Sequence, residues 1–303
     1  MIAHRSRTDE EALLPASALL VGAHVSAASG LHRAVERESA IGCTALQVFT
    51  RSPSRWQSPP LDGTAIRAFR DAVAARAIRF ITAHDAYLIN LASPHEEVRQ
   101  RSVAAMLDEI DRADLLGIPC VIAHPGAHMG AGEEAGLARL VESLDQIADA
   151  QPEARAVIGL DVTAGQGTAL GWRLEHLAHA IAHVAAPERL AACFDTCHAH
   201  AAGYDLVTRE GFDETWEAFD RIIGAKSLVA IHMNDAKRER GSRVDRHEHI
   251  GRGFLGLDPF VWTMKSARFR DVPKIVETPQ AETMHRVNVA WLRELAGADC
   301  RTP

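Results

Sequence analysis

The chain has 303 residues, 47% of them hydrophobic and 24% charged, which suits a folded globular protein with a sizeable core and excludes a fibrous or disordered one. Lys and Arg number 33 against 40 Asp and Glu, a formal charge of -7, so bulk electrostatics does not draw it onto nucleic acid or an anionic membrane. Sixteen histidines stand out, because imidazole is the commonest metal ligand and titrates near neutral pH.

In chain order, residues 1–18 read as an extension ahead of the fold, with no apolar stretch long enough for a secretion signal. Eight short apolar runs follow, each bounded by turn residues and each predicted as a strand buried on both faces. They are ALLVGAHV ending near His24, TALQVF at Phe49, RFITAH at His84, PCVIAH at His124, AVIGLD at Asp161, LAACFD at Asp195, SLVAIH at His232 and PKIVE at Glu277. Stretches of helical period lie between and after them, at 30–39, 62–77, 96–116, 133–149, 172–183, 211–223, 257–268 and 281–295. Strict alternation of this kind predicts an α/β fold, a single (β/α)8 TIM barrel over residues 19–300. No G-x-G-x-x-G follows the first strand to favour an open doubly wound sheet instead. Cys43, Cys120, Cys193, Cys197 and Cys300 include no short CxxC pair and read as reduced thiols. With no window of some 18 uncharged apolar residues, a cytoplasmic protein without a membrane span is expected.

The strand ends carry the functional signal. In a barrel the strand C-termini converge on one mouth, and seven of these eight end in His, Asp or Glu: His24, His84, His124, Asp161, Asp195, His232 and Glu277. A single polar residue where a strand meets its loop is ordinary, but seven of metal-ligand type facing one mouth are not. The loops add His198 in DTCH and Asp245 with His247 in SRVDRH. So many carboxylates and imidazoles exceed the four ligands of one zinc and point to a multinuclear site.

Longer strings then become informative: GAHVS at 22–26, HDAYLINL at 84–91, HPGAH at 124–128, TAGQG at 163–167, DTCH at 195–198, AAGYD at 201–205, HMNDAK at 232–237 and GSRVDRH at 241–247. In this order the chain resembles the endonuclease IV family of apurinic/apyrimidinic DNA endonucleases over nearly its whole length after the extension. The resemblance implies three Zn2+ per chain, with Mn2+ or Fe2+ compatible with part of the donor set. His84, His124 and Asp161 would hold one. Asp161, bridging, with Asp195, His232 and Glu277 would hold a second, and His198, Asp245 and His247 a third. Asp161 and Glu277 would act in catalysis through a metal-activated water. The implied substrate is double-stranded DNA containing abasic sites, cut on the 5′ side in base excision repair to leave a 3′-hydroxyl and a 5′-deoxyribose phosphate, by a monomer. Tyr87 and Leu88 would wedge into the vacated stack. Arg51, Arg55, Lys237, Arg238, Arg240, Arg243 and Arg246 would grip phosphates.

Two departures from the family pattern matter. The pair before TAGQG is Asp161-Val162 where the family has Glu-Asn, which shortens the bridging carboxylate by one methylene. Ser54 stands where the family places an Arg two residues before the Trp, so Arg55 is the candidate replacement. Several other features read as structural: His176, His179 and His183 as a solvated face of an outer helix, GRGFLG at 251–256 as a tight turn, and Cys193 as core, with Cys197 left open. His24, His128 and Asn234 read as supports or substrate contacts. Two rivals remain: a xylose-isomerase-like divalent-metal sugar isomerase or epimerase, which needs neither the third trio nor a wedge, and a DNA-damage binding protein weakened in catalysis at Asp161.

Overall fold

A computed structural model describes residues 19–297; the expected extension and Cys300 lie outside the described residues. Eight parallel strands close into a barrel: β1 (Val21–Val25), β2 (Ala45–Val48), β3 (Phe80–His84), β4 (Cys120–Ala123), β5 (Val157–Asp161), β6 (Leu190–Asp195), β7 (Leu228–His232) and β10 (Lys274–Val276), which pairs with both β7 and β1. The remaining two, β8 (Asp235–Ala236) and β9 (His247–Glu248), form a small antiparallel hairpin in the loop beyond β7. Helices α1 (Leu31–Ser39), α2 (Gly63–Ala74), α3 (Glu96–Leu116), α4 (Glu133–Ala150), α5 (Leu174–His183), α7 (Arg209–Ile222), α8 (Asp258–Lys265) and α9 (Ala281–Leu295) follow the strands as the periodicity predicts.

The strand pleat explains what reaches the mouth. Successive side chains alternate between faces, so residues two apart look the same way. One face packs outward into the large core beneath the helices. The other fills the barrel with two smaller clusters, Cys120, Ile122, Cys193 and Ala230 in one and Leu20, Ala45 and Ile275 in the other. One or two pleats further along those inward faces the residues turn polar. Leu20 leads to His24, Ala45 to Gln47, Ile122 to His124, Cys193 to Asp195, Ala230 to His232 and Ile275 to Glu277. The barrel floor is thus apolar and its rim ionisable. Gly22 is where β1 and β2 press closest, since a Cβ there would lie 1.6 Å from the Ala45 carbonyl oxygen.

Two features differ from the expected pattern, and the turn expected at 251–256 is present. A short helix, α6 (Thr196–Ala202), follows β6 without a loop, and the Asp195 carboxylate caps it by accepting from His198 N at 2.9 Å. The helix after it begins at Arg209 because Thr208 caps it, accepting from Gly211 N at 3.1 Å. The glycine-rich turn before α8 is held by one carboxylate: Asp235 accepts from the backbone N–H of Ala236, Gly253 and Leu255 at 2.7–2.9 Å. Among the described residues no helix is long and apolar enough to cross a membrane.

Candidate metal centre

At the mouth the polar rim residues meet. Three groups have ligand atoms all within 4.8 Å of one another: His124, Asp161 and His198; Asp195, His232 and Glu277; and His198, Asp245 and His247. Eight of the nine residues expected to hold metal are therefore brought together. His84 stands beside them, its ring centroid 5.5 Å from that of His124 and its Nδ1 turned onto the Asp85 carbonyl at 3.0 Å. Two further groups bring in sulfur, Cys193 with Asp161 and His232, and Cys197 with Asp195 and His247. Both thiols are pushed far up by burial and then by neighbouring carboxylates.

The wiring around the cluster decides which atoms face it. A carbonyl oxygen can only accept, so a ring nitrogen bonded to one must carry the proton. His198 Nδ1 donates to Val162 O at 2.9 Å and His247 Nδ1 to Glu277 O at 3.2 Å. Their Nε2 atoms consequently face each other across 3.4 Å with Asp245 between them, 3.3 Å from one and 3.4 Å from the other. Asn234 donates to Asp195 Oδ2 at 2.8 Å and accepts from Glu277 N at 2.7 Å, tying the Asp195 carboxylate to the Glu277 backbone. Asp161 is wholly buried with imidazole nitrogens of His124, His198 and His232 at 3.5–3.6 Å, yet neither of its oxygens has a hydrogen-bond partner, and nor does His232 Nδ1. Two buried, unpartnered oxygens beside an unpartnered nitrogen, His232 Nδ1, fit a divalent cation, since such groups otherwise cost about 1–3 kcal/mol each.

The charges are strongly coupled. Burial would push Asp161 and Glu277 up, but the imidazoles beside them, His232 foremost, hold both well below the usual carboxylate range. Burial would likewise lower His198 and His232, yet the surrounding carboxylates raise both. His84 rises to about 9, burial being outweighed by Asp85 and Glu277, whereas burial takes His124 down to about 4.

A cavity of about 1270 Å³ opens over the cluster, lined by His24, Phe49, Tyr87, Lys237 and Arg246 among others. Tyr87 is 73% exposed at its edge, and Leu88 behind it is half-buried. Arg55 is exposed outside the lining, and Arg243, held at a φ of 56°, stacks on the Trp172 ring 3.5 Å away. Arg51 is not free to grip a phosphate. Its buried guanidinium is paired with Glu109 at 2.7 Å and Asp108 at 3.3 Å, and it braces the loop through Trp56 O. The solvated-face reading of His176 also fails: it is buried, accepting from Gly171 N at 3.0 Å. His128 likewise closes a local turn by accepting from Gly132 N. Gln47 at the centre of the rim was not singled out from sequence, although an inward-facing amide in an otherwise apolar strand was the available signal.

A family model described as xylose isomerase-like TIM barrel matches residues 35–295. The chain is 49% identical over 263 residues to "Probable endonuclease 4" of Geobacter sulfurreducens, covering 86% of this chain and 88% of that one. It is 46% identical over 277 residues to the protein of the same name in Trichlorobacter lovleyi, covering 91% and 99%. Its backbone matches the crystal structure of endonuclease IV from Thermus thermophilus with a TM-score of 0.82 at 32% identity, over 91% of this chain and 98% of that one. A D-tagatose 3-epimerase-like protein, 19% identical with a TM-score of 0.68 over 91% and 98% of the two chains, shares the fold.

Proposed function

Since the chain belongs to the endonuclease IV family, we propose that it is a metal-dependent endonuclease that cuts duplex DNA on the 5′ side of an abasic site, leaving a 3′-hydroxyl and a 5′-deoxyribose phosphate. The observation that carries this reading is the unpartnered, wholly buried Asp161 carboxylate at the centre of a ring of imidazoles and carboxylates under an open cavity. The residues that would hold three zinc ions are His84, His124, Asp161, Asp195, His198, His232, Asp245, His247 and Glu277. When bound, zinc supplies Lewis acidity toward phosphate oxygens and a nucleophile at neutral pH without a side-chain base.

The chain's own groups prepare the site for that chemistry. His198 and His247 are kept from rotating by their bonds to backbone carbonyls, and Asn234 fixes Asp195 and the backbone of Glu277. Three divalent ions would lift the net charge from -7 to about -1, concentrating the change at the mouth that meets DNA. An abasic nucleotide has no base to unpair, so extruding it costs less than flipping an intact one. Tyr87, exposed on the rim with its ring centroid 5.4 Å from that of Phe49, is placed to enter the gap, with Leu88 behind it. Lys237 and Arg246 on the cavity wall, with Arg55 and Arg243 further out, supply phosphate contacts.

The raised imidazoles set a pH dependence. Below about pH 6.5 protonated His84, His198 and His232 stabilise the metal-free protein against the carboxylates, and this contribution is lost as pH rises through their folded values, about 9 for His84. Those protons must leave before the nitrogens can ligate. Zinc titration at pH 7.5 is therefore expected to release protons, and the gain in Tm on adding zinc is expected to grow between pH 6 and 9. Uptake without proton release, or a gain that shrinks with pH, would contradict it. The function itself is tested by metal content after dialysis, followed by assays on an abasic duplex and on ketoses. Metal-dependent strand cleavage supports it; sugar epimerisation without cleavage would overturn it, and tight binding to the abasic duplex without cleavage would make the protein a damage-binding module.

A further inference from the structure

Among the histidines expected to hold metal, His232 is wired differently from His84, His198 and His247. His84, His198 and His247 each rest Nδ1 on a backbone carbonyl, a partner that no substitution of a side chain removes. His232 presents the opposite nitrogen to the cluster, with Nδ1 3.2 Å from Glu277 Oε2, 3.6 Å from Asp161 and 3.7 Å from Asp195, and its other nitrogen rests on a side chain, the Gln47 amide.

The amide's orientation follows from its neighbours. Glu277 Oε1, a carboxylate oxygen, lies 2.7 Å from one amide atom, which must be the donating nitrogen. The other atom is then the oxygen, and Thr82 Oγ1 donates to it at 3.0 Å. That oxygen is 2.9 Å from His232 Nε2, and an amide oxygen only accepts, so His232 must carry its proton on Nε2. On the far side, Glu277 Oε1 receives a second donor, His24 Nδ1 at 2.7 Å. One oxygen of Glu277 is thereby occupied, and Oε2 is left for the cluster. Gln47 itself is fully buried, where such a network is held only if each member is satisfied.

We propose that Gln47 is a positioning residue for the metal centre: its oxygen locks His232 in the tautomer whose Nδ1 lone pair faces the cluster, and its nitrogen turns Glu277 so that Oε2 faces the same point. Without it, neutral His232 has no acceptor fixed at Nε2, and the three carboxylates around Nδ1 favour the neutral tautomer that keeps its proton there and closes the ligand position. The inference rests on the metal-dependent reading above.

The test uses the full chain. In 15N-histidine-labelled wild-type protein loaded with 113Cd, the expected result is metal coupling to His232 Nδ1 with a proton on Nε2. Coupling at Nε2 would overturn the proposal, and this arm stands even if every variant fails to fold. Gln47→Leu is expected to weaken one bound zinc by about 10–100-fold in competition with a chromophoric chelator. The other zinc ions should remain tight, and the free His232 should shift toward the Nδ1-protonated form. Gln47→Glu, which keeps an oxygen toward His232 but loses the donor to Glu277, should retain the tautomer while losing zinc affinity. A Gln47→Leu variant with zinc affinity within twofold of wild type would overturn the role of Gln47 and leave the nuclease reading intact. Wild-type protein that takes up neither metal would sink both.

Discussion

Glu277→Gln is expected to reduce cleavage of an abasic-site duplex by about 10³ or more, because several kcal/mol of charge stabilisation at the metal site would be lost at roughly 1.4 kcal/mol per tenfold. Glu277 Oε1 accepts from both His24 and Gln47 while Oε2 faces His232 Nδ1. A neutral amide of the same shape must either turn its NH2 toward those two donors, leaving a donor clash, or turn it toward the cluster, where it repels a cation. The side chain lies at the rim and is 13% exposed, so the barrel should fold as before. Circular dichroism and Tm of the variant check the fold while end-labelled duplex checks the activity. A folded Glu277→Gln protein that cuts at wild-type rate would remove Glu277 from the metal site.

Asp161→Asn is expected to act more broadly, with loss of metal affinity as well as a comparable loss of cleavage. Asp161 is the one carboxylate that faces His124, His198 and His232 together, and its charge contributes to holding the imidazoles of His198 and His232 above their usual range. Asparagine keeps the volume, removes the charge and points hydrogens at His124 Nε2 or His232 Nδ1, whose lone pairs should face a cation. Asp161→Glu is the matched control. It adds the methylene that the resemblance implies for this position and should leave cleavage equal or higher; a clear loss would show that this mouth has closed around the shorter carboxylate.

Much of this arrangement was legible because two periodicities are strong. Strands of period two with apolar floors, and helices of period 3.6 between them, leave the barrel as the simplest closure, and the ends at His84, Asp161, Asp195 and His232 coincide with the last strand residues. Asp245 and His247 were legible only as a string, since nothing in spacing says that a loop folds back over the mouth; the β8–β9 hairpin does that through pairing of Ala236 with His247. Helix α6 was hidden because its capping residue is itself a strand end, so no turn signal separates the two. Arg51 misled for a different reason: a basic residue near the mouth looks like a phosphate contact until its partner is seen. Glu109 lies 58 positions away on α3. Gln47 shows the same limit from the other side, being a polar residue whose partner Glu277 is supplied only by the closed fold, while His176 is buried by a local turn that its helical spacing does not show.

The most direct measurement is incubation of the zinc-loaded full chain with a duplex carrying one tetrahydrofuran abasic analogue, followed by mapping of the ends. A single cut 5′ to the analogue, a 3′-hydroxyl that a polymerase extends, and loss of cutting on chelation with recovery on adding zinc back are the results expected of this metal-lined mouth. Persistence of cutting in the fully demetallated protein, or no cutting by protein shown to hold its metal, would contradict it.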